Sequence, residues 1–402
     1  MSTVEAAPPP ALPQVSSDVS DRKLNRRFFH SYLVAFTYFT SIAVGALFVV
    51  LVFNLLGAKW AVTVRRTAEI LTQAFPILFL LSIGVWGPML LGNDNLFVWS
   101  SKEFMHNDHL VHAKSGYLNA PFFAARCLLY FAIWIGISRF FFKQSTAQDE
   151  DGDEARTAKM IWWSAPLTMV YAFTVAFFAF DMLMSLDPQW FSTMFGVYYF
   201  AGCGIAIFSM MILVLMGLQR SGRIMTAVTV EHYHDLGKLL FAFVFFWAYV
   251  AFSQFMLIWG ANIPEETFYF YKRWFSFSEI GAMGPWAYVT LALLAFHFVV
   301  PFVLLMSRHS KRRLQVLAVF CLWMLGWHYV DLYWQVMPAL NNHAEAGLAA
   351  YNSVKKGAHI DIAAWVGMGL LFMGAVAGAM AKVNLVPNKD PNLSDALRFE
   401  NV

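Results

Sequence analysis

The chain has 402 residues, of which 59% are hydrophobic and 17% aromatic while only 13% are charged, with a formal net charge of +3. Soluble domains carry about 25% charged residues, so this composition excludes an ordinary water-soluble protein, and the small net charge gives no support to nucleic-acid binding. The three cysteines, Cys127, Cys203 and Cys321, each lie alone in an apolar run, which excludes CxxC, CxxCH and ferredoxin-type spacings and leaves packing roles.

Residues 1–29 contain Pro8, Pro9, Pro10 and Pro13 with Ser and Asp and no signal-peptide core, and read as a disordered or partner-bound tail. Nine apolar runs of membrane length follow, at 30–56, 68–91, 118–142, 161–186, 196–219, 235–260, 285–307, 314–337 and 360–382. Backbone groups in lipid must be satisfied within the segment, so the runs predict an all-α polytopic membrane fold. The longer connections, at 92–117, 144–160 and 338–359, leave no room for a separate soluble domain.

Lys and Arg concentrate on one side, at Lys59, Arg65, Arg66, Arg139, Lys143, Arg156, Lys159, Arg220, Arg223, Arg308, Lys311, Arg312, Arg313, Lys382, Lys389 and Arg398. The positive-inside rule places that side and the C-terminus in the cytoplasm and the N-terminus outside. The cluster Arg22, Lys23, Arg26 and Arg27 argues the other way, which requires either a miscounted span or a partner that masks it.

Span four ends in FDMLMSLDP and span eight in YVDLYWQVMP, so that Asp181 precedes Pro188 and Asp331 precedes Pro338 by the same interval. This faint repeat predicts two four-helix bundles, 30–190 and 191–340, then a linker and ninth span at 341–384 and a cytoplasmic tail at 385–402. Gly374 and Gly378 give span nine a GxxxG pattern, which either favours close helix contact or belongs to an ordinary glycine-rich helix.

Ionisable residues in a hydrocarbon span are expensive and are hypotheses about function. The sixth span opens with Glu231, His232, His234, Asp235 and Lys238. Glu231, Asp235 and Lys238 fall within about 60° of one another on a helix, Tyr249 and Ser253 return to that face, and an apolar gap of roughly 16 Å separates the two groups. That pattern reads as two proton half-channels with a dry gate, or as a wet helix start whose acids favour the N-terminal dipole. His328, Asp331 and Gln335 share a face of span eight, His297 lies mid-span in span seven, and Asp181 shares a face with Thr174 and Ser185. Arg126, inside span three with Tyr130 one turn on, needs a carboxylate, with Asp181, Asp187 or Glu69 as candidates. Together these residues suggest a proton path, against the alternative of hydrogen-bonded packing groups. His297 and His328 are the one pair whose depths suit a bis-His haem, and no helix carries two histidines spaced for a two-haem design. GxGxxG, Walker A and HExxH motifs are absent.

Four segments carry a family resemblance: KSGYLNAPFF at 114–123, SLDPQWFSTMFG at 185–196, HDLGKLLFAFVFFWAYVAFSQFMLIWGANIPEET at 234–267, and HYVDLYWQVMP at 328–338. In this order they resemble the ActF subunit of alternative complex III, a bacterial quinol:electron acceptor oxidoreductase, related to the NrfD/PsrC-type membrane subunits. The resemblance implies two four-helix bundles with flanking helices in a bacterial cytoplasmic membrane, and usually ten spans, of which this chain would lack the first. It also implies assembly with an ActC-like paralogue, an iron-sulfur subunit and multihaem cytochrome c subunits that carry the electrons. The chain itself would be a subunit of an oxidoreductase without a redox cofactor of its own. Quinone is the one ligand implied, and Asp181, His328 and Asp331 are the groups to receive a hydroxyl proton beside it. A stand-alone proton-coupled transporter is the alternative function, and a scaffold whose buried polar groups only bind helices together is the third.

Overall fold

The computed structural model describes residues 17–224, 226–274, 283–341 and 357–400, with side-chain burial from residue 24 onward. No β-strand occurs among them. Nine helices among the described residues are long and apolar enough to cross a membrane: Leu24–Leu55, Lys59–Leu90, Ala120–Asp151, Glu154–Leu186, Phe195–Arg220, Val230–Ala261, Pro285–Met306, Leu314–Leu340 and Ala358–Met380. They are numbered here as spans one to nine. The fold is an all-α polytopic membrane protein.

Several boundaries differ from the hydropathy reading for physical reasons. The helix of span one already starts at Ser17, so residues 17–29 are helical rather than a loose tail, while residues 1–16 lie outside the described residues. Span two begins at Lys59, because Val62–Leu71 is helical and wholly buried although it contains Arg65, Arg66 and Glu69. Those charges lower its hydropathy, yet they satisfy one another: Arg65 and Arg66 each hold Glu69 at 3.1 Å, and they reach Asp390 at 2.9 Å and Asp149 at 2.8 Å. Span three continues to Asp151 and turns at Gly152, whose φ of 68° suits a residue without a Cβ. Asp153 then caps span four by accepting from the Ala155 N–H at 2.9 Å.

Span one is the central element, with 89% of its apolar window buried, and it packs against spans two, four, five, eight and nine. Gly45 permits one close approach of this kind, since a Cβ there would stand 2.4 Å from the Cys203 carbonyl of span five. Spans one to four pack on one another, as do spans five to eight, and the two groups share a seam of spans one, four, five and eight. Span nine packs on spans one and two. Its Gly374 and Gly378 face open space, so the GxxxG pattern makes no close helix contact among the described residues. Part of the basic cluster before span one is masked internally: Arg27 is buried, donates to Asp361 of span nine at 2.5 Å and to Ser31 at 2.8 Å, and sits near Tyr333.

Candidate functional site

Span three starts where the Asn119 side chain accepts from the Phe122 N–H at 3.0 Å, with Pro121 in the first turn, where a missing N–H costs nothing. This start places Arg126 against the end of span four. Its Nε and Nη2 donate to the two oxygens of Asp181 at 2.9 Å each, and its Nη1 donates to the Tyr117 carbonyl at 3.0 Å. Tyr130 donates to the same carboxylate at 2.7 Å, and the guanidinium lies 3.8 Å from the Tyr117 ring centroid and 4.3 Å from that of Phe122. Of the carboxylates expected for Arg126, Asp181 is therefore the partner. The arrangement is a closed, bidentate, stacked pair.

Asp331 is built differently. It is fully buried in span eight, and its hydrogen-bond partners among the described residues are three neutral donors: the Tyr198 hydroxyl of span five, Trp247 Nε1 of span six at 3.3 Å, and Gln335 Nε2 at 3.1 Å. His328, one turn away, turns instead to span one, with Nε2 2.8 Å from Ser41 Oγ and its ring beside Tyr38. His297 packs against Trp247 at 4.3 Å between ring centroids, and neither ring nitrogen has a hydrogen-bond partner among the described residues. It lies in a π-turn, Leu294–Val299, just before Pro301. Proline has no N–H for the His297 carbonyl and its ring crowds that carbonyl, which accounts for the widened turn. Both imidazoles are thus packed against Tyr and Trp rings rather than paired across an open slot, which does not favour the haem reading.

Tyr198 and Trp247 also form the inner wall of a cavity of about 740 Å³ bounded by spans five, six, seven and eight and the helix Pro264–Trp274. Its surface is mostly apolar, with Gln254, Arg273 and Thr290 as polar points. Phe252, Trp259 and Leu294, which help to line it, are exposed on the outer surface of the bundle, so among the described residues the cavity reaches that lateral surface. The volume is that of a pocket for a drug-sized ligand.

The helix Pro264–Trp274 covers one end of this cavity. Asn262, with φ 50°, ends span six in the left-handed conformation and redirects the chain into it. Lys272 Nζ donates to Asp187 at 3.0 Å, Arg273 lies 3.6 Å from the same carboxylate, and the Arg273 guanidinium stacks 3.5 Å over Tyr269. Tyr269 in turn stacks on Trp190 at 3.9 Å. Burial alone would push the Asp187 carboxyl up, but Lys272 and Arg273 together outweigh it and hold the group below its usual range. Burial lowers the Lys272 ammonium, with Asp187 pulling it back.

The polar start of span six is at the other end of the bundle. Glu231 accepts from Arg312 Nη1 at 2.8 Å, Asp235 pairs with Lys238, and His232 Nδ1 accepts from the Thr229 N–H at 3.1 Å in a capping box. His234 is buried there. The face that continues from these residues does not run through the interior. Phe245 and Tyr249 are 53% and 58% exposed on the outside of the bundle, with Ser253 half-buried beside them. The dry step expected between Lys238 and Tyr249 is therefore outer surface rather than an internal gate. The inward face of span six is Leu240, Val244, Trp247, Val250 and Gln254.

The structure thus brings Arg126 to Asp181 and His297 to the Trp247 that holds Asp331, and it separates all of these from Glu231, His234, Asp235 and Lys238. Tyr198, Trp247, Gln254 and the Asp187–Lys272–Arg273 group escaped the sequence reading. The KR pair at the end of an amphipathic segment was the available signal for the last. Compared with known proteins, the chain matches no protein-family model and no curated protein.

Proposed function

We propose that this chain is the membrane-embedded, cofactor-free subunit of a quinol-oxidising complex, and that its sideways-opening cavity receives the head of a quinol-type amphiphile. The observation that carries the reading is the pairing of an apolar, laterally open cavity with a buried carboxylate, Asp331, whose partners are all neutral. An amphiphile can enter such a cavity from the membrane without crossing water. Tyr198 and Trp247 stand between cavity and carboxylate, so a hydroxyl proton released in the cavity reaches Asp331 through the Tyr198 hydroxyl. Asp181, locked to Arg126, serves in positioning spans three and four instead. His297 and His328 flank this region without a hydrogen bond to Asp331 among the described residues, and pack beside the proton site rather than relay from it. The charged start of span six, on the side that the Lys and Arg distribution assigns to the cytoplasm, is not part of this path.

Electron transfer in this reading belongs to partner iron-sulfur and multihaem cytochrome c subunits beside an ActC-like paralogue, as the resemblance to ActF implies. Purification from native membranes tests it. Co-migration with a multihaem cytochrome and an iron-sulfur protein, and extraction of quinone that is lost when the cavity is filled, are the expected results. A lone chain that takes up protons only with a transported substrate would replace this reading with a secondary transporter.

A further inference from the structure

The charged end of spans six and seven carries a second arrangement, which the quinol reading does not use. The short helix Arg308–Arg312 follows span seven and folds back onto span six. The contact is at Gly237, where an added Cβ would stand 3.2 Å from Lys311 Cγ, so the loop lies tight against the helix. Lys311 Nζ donates to the Leu305 and Met306 carbonyls at 2.8 and 3.2 Å, closing the end of span seven, and stands 5.2 Å from the Phe241 ring centroid. Lys238 pairs with Asp235 and Arg312 with Glu231, while Arg308 and Lys311 lie on the same short helix as Arg312 and Arg313 ends it, so cations outnumber carboxylates in this stretch. The excess is felt locally: burial first, and the Lys238 ammonium second, hold Lys311 below its ordinary value.

These cations are not enclosed. Lys238 keeps 47% and Arg312 34% of the side chain exposed while holding their carboxylates, and Arg308 and Arg313 are exposed. Farther along the same surface, Phe241 stacks on Phe302 at 5.3 Å and Phe245 meets Phe302 at 6.1 Å. Phe245, Val303 and Leu304 are exposed beside them. A soluble anion would use the cations alone. An amphiphile with a negative head and acyl chains matches both the charge and the apolar wall below it.

We propose that Lys238, Arg308 and Arg312, above the wall of Phe241, Phe245 and Phe302, bind the headgroup of one anionic phospholipid. The full chain, purified in detergent, is titrated with dioleoyl phosphatidylglycerol or dioleoyl phosphatidylcholine and the bound lipid is counted by native mass spectrometry. The anionic lipid is expected to be retained more tightly, by about fivefold for each cation engaged. Lys238→Gln/Arg308→Gln should lose that preference, and Lys238→Arg/Arg308→Lys should keep it. Arg139→Gln/Lys143→Gln, which removes the same charge from span three, should also keep it. If the double glutamine variant does not fold, Arg308→Gln alone, on the exposed short helix, is read in its place. Equal retention of the two lipids by the unaltered chain, or equal loss in the span-three variant, overturns the proposal. So does inorganic phosphate that displaces the lipid at equal concentration, which would make this a small-anion site.

Discussion

Asp181 and Asp331 stand at matching places, each the same interval before a proline that closes its helix, yet among the described residues only Asp181 of the two faces a cation. Arg126 saturates Asp181 with two parallel hydrogen bonds, whereas Asp331 is held by Tyr198, Trp247 and Gln335. The same residue type in the same relation to the chain has thus been given a structural task in one half and left chemically open in the other.

That difference separates two substitutions. Asp181→Asn leaves the buried Arg126 guanidinium without its counter-charge, and breaking a buried pair costs about 3–5 kcal/mol. Thermal unfolding in detergent should show a large loss for Asp181→Asn, partly recovered in Arg126→Gln/Asp181→Asn because the two sites are coupled. Asp331→Asn keeps hydrogen-bonding capacity among neutral partners and should unfold close to the unaltered chain. Equal losses for the two aspartates would remove the distinction.

The cavity gives a prediction independent of any charge. Ala251 lines it on span six, so Ala251→Trp places an indole in the space without touching Asp331. Co-purifying quinone should fall to background while the melting temperature holds. Retention of quinone in this variant would move the ligand elsewhere.

On the acid side, Asp187 links stability to pH. Its folded value is below its unfolded one because Lys272 and Arg273 hold the charged form. Its contribution is therefore complete above about pH 4, the unfolded carboxylate range, and is lost as pH falls through the lower folded value. Melting temperature measured from neutral pH downwards should drop in that window, and Asp187→Asn should be less stable at neutral pH with a flatter acid limb.

Gly45 tests the central seam. An added methyl would meet the Cys203 carbonyl, which is backbone and cannot swing away. Gly45→Ala should cost about 1–3 kcal/mol by overpacking, seen as a lower melting temperature with the spectrum of a helical protein retained. Gly374→Ala, facing open space, should be silent.

The sequence carried the spans well because an apolar run of membrane length has few alternatives, and it carried the need of Arg126 for a carboxylate because an unpaired guanidinium has no place in a bundle. It misjudged span six. That helix is apolar on all sides, so a line of polar residues was the only guide to its inner face, and a tyrosine such as Tyr249 is as much at home on the outside of a membrane protein as within it. The true inner face is marked by Trp247 and Gln254, one of them apolar by composition. Span two was shortened for the opposite reason: Arg65, Arg66 and Glu69 look unfit for a buried helix until Asp149 and Asp390, far along the chain, are brought to them. The cavity was illegible because its lining comes from separate segments, each unremarkable alone.

The central claim is that Asp331 exchanges a proton with a ligand in the neighbouring cavity. Infrared difference spectroscopy of the purified complex, recorded on adding a quinol, measures this directly through the carbonyl stretch of a protonated carboxyl group. The account predicts a carboxyl band that appears with ligand, is lost in Asp331→Asn and survives in a folded Asp181 variant. A band unchanged in Asp331→Asn, or none in the unaltered complex with ligand bound, would contradict it.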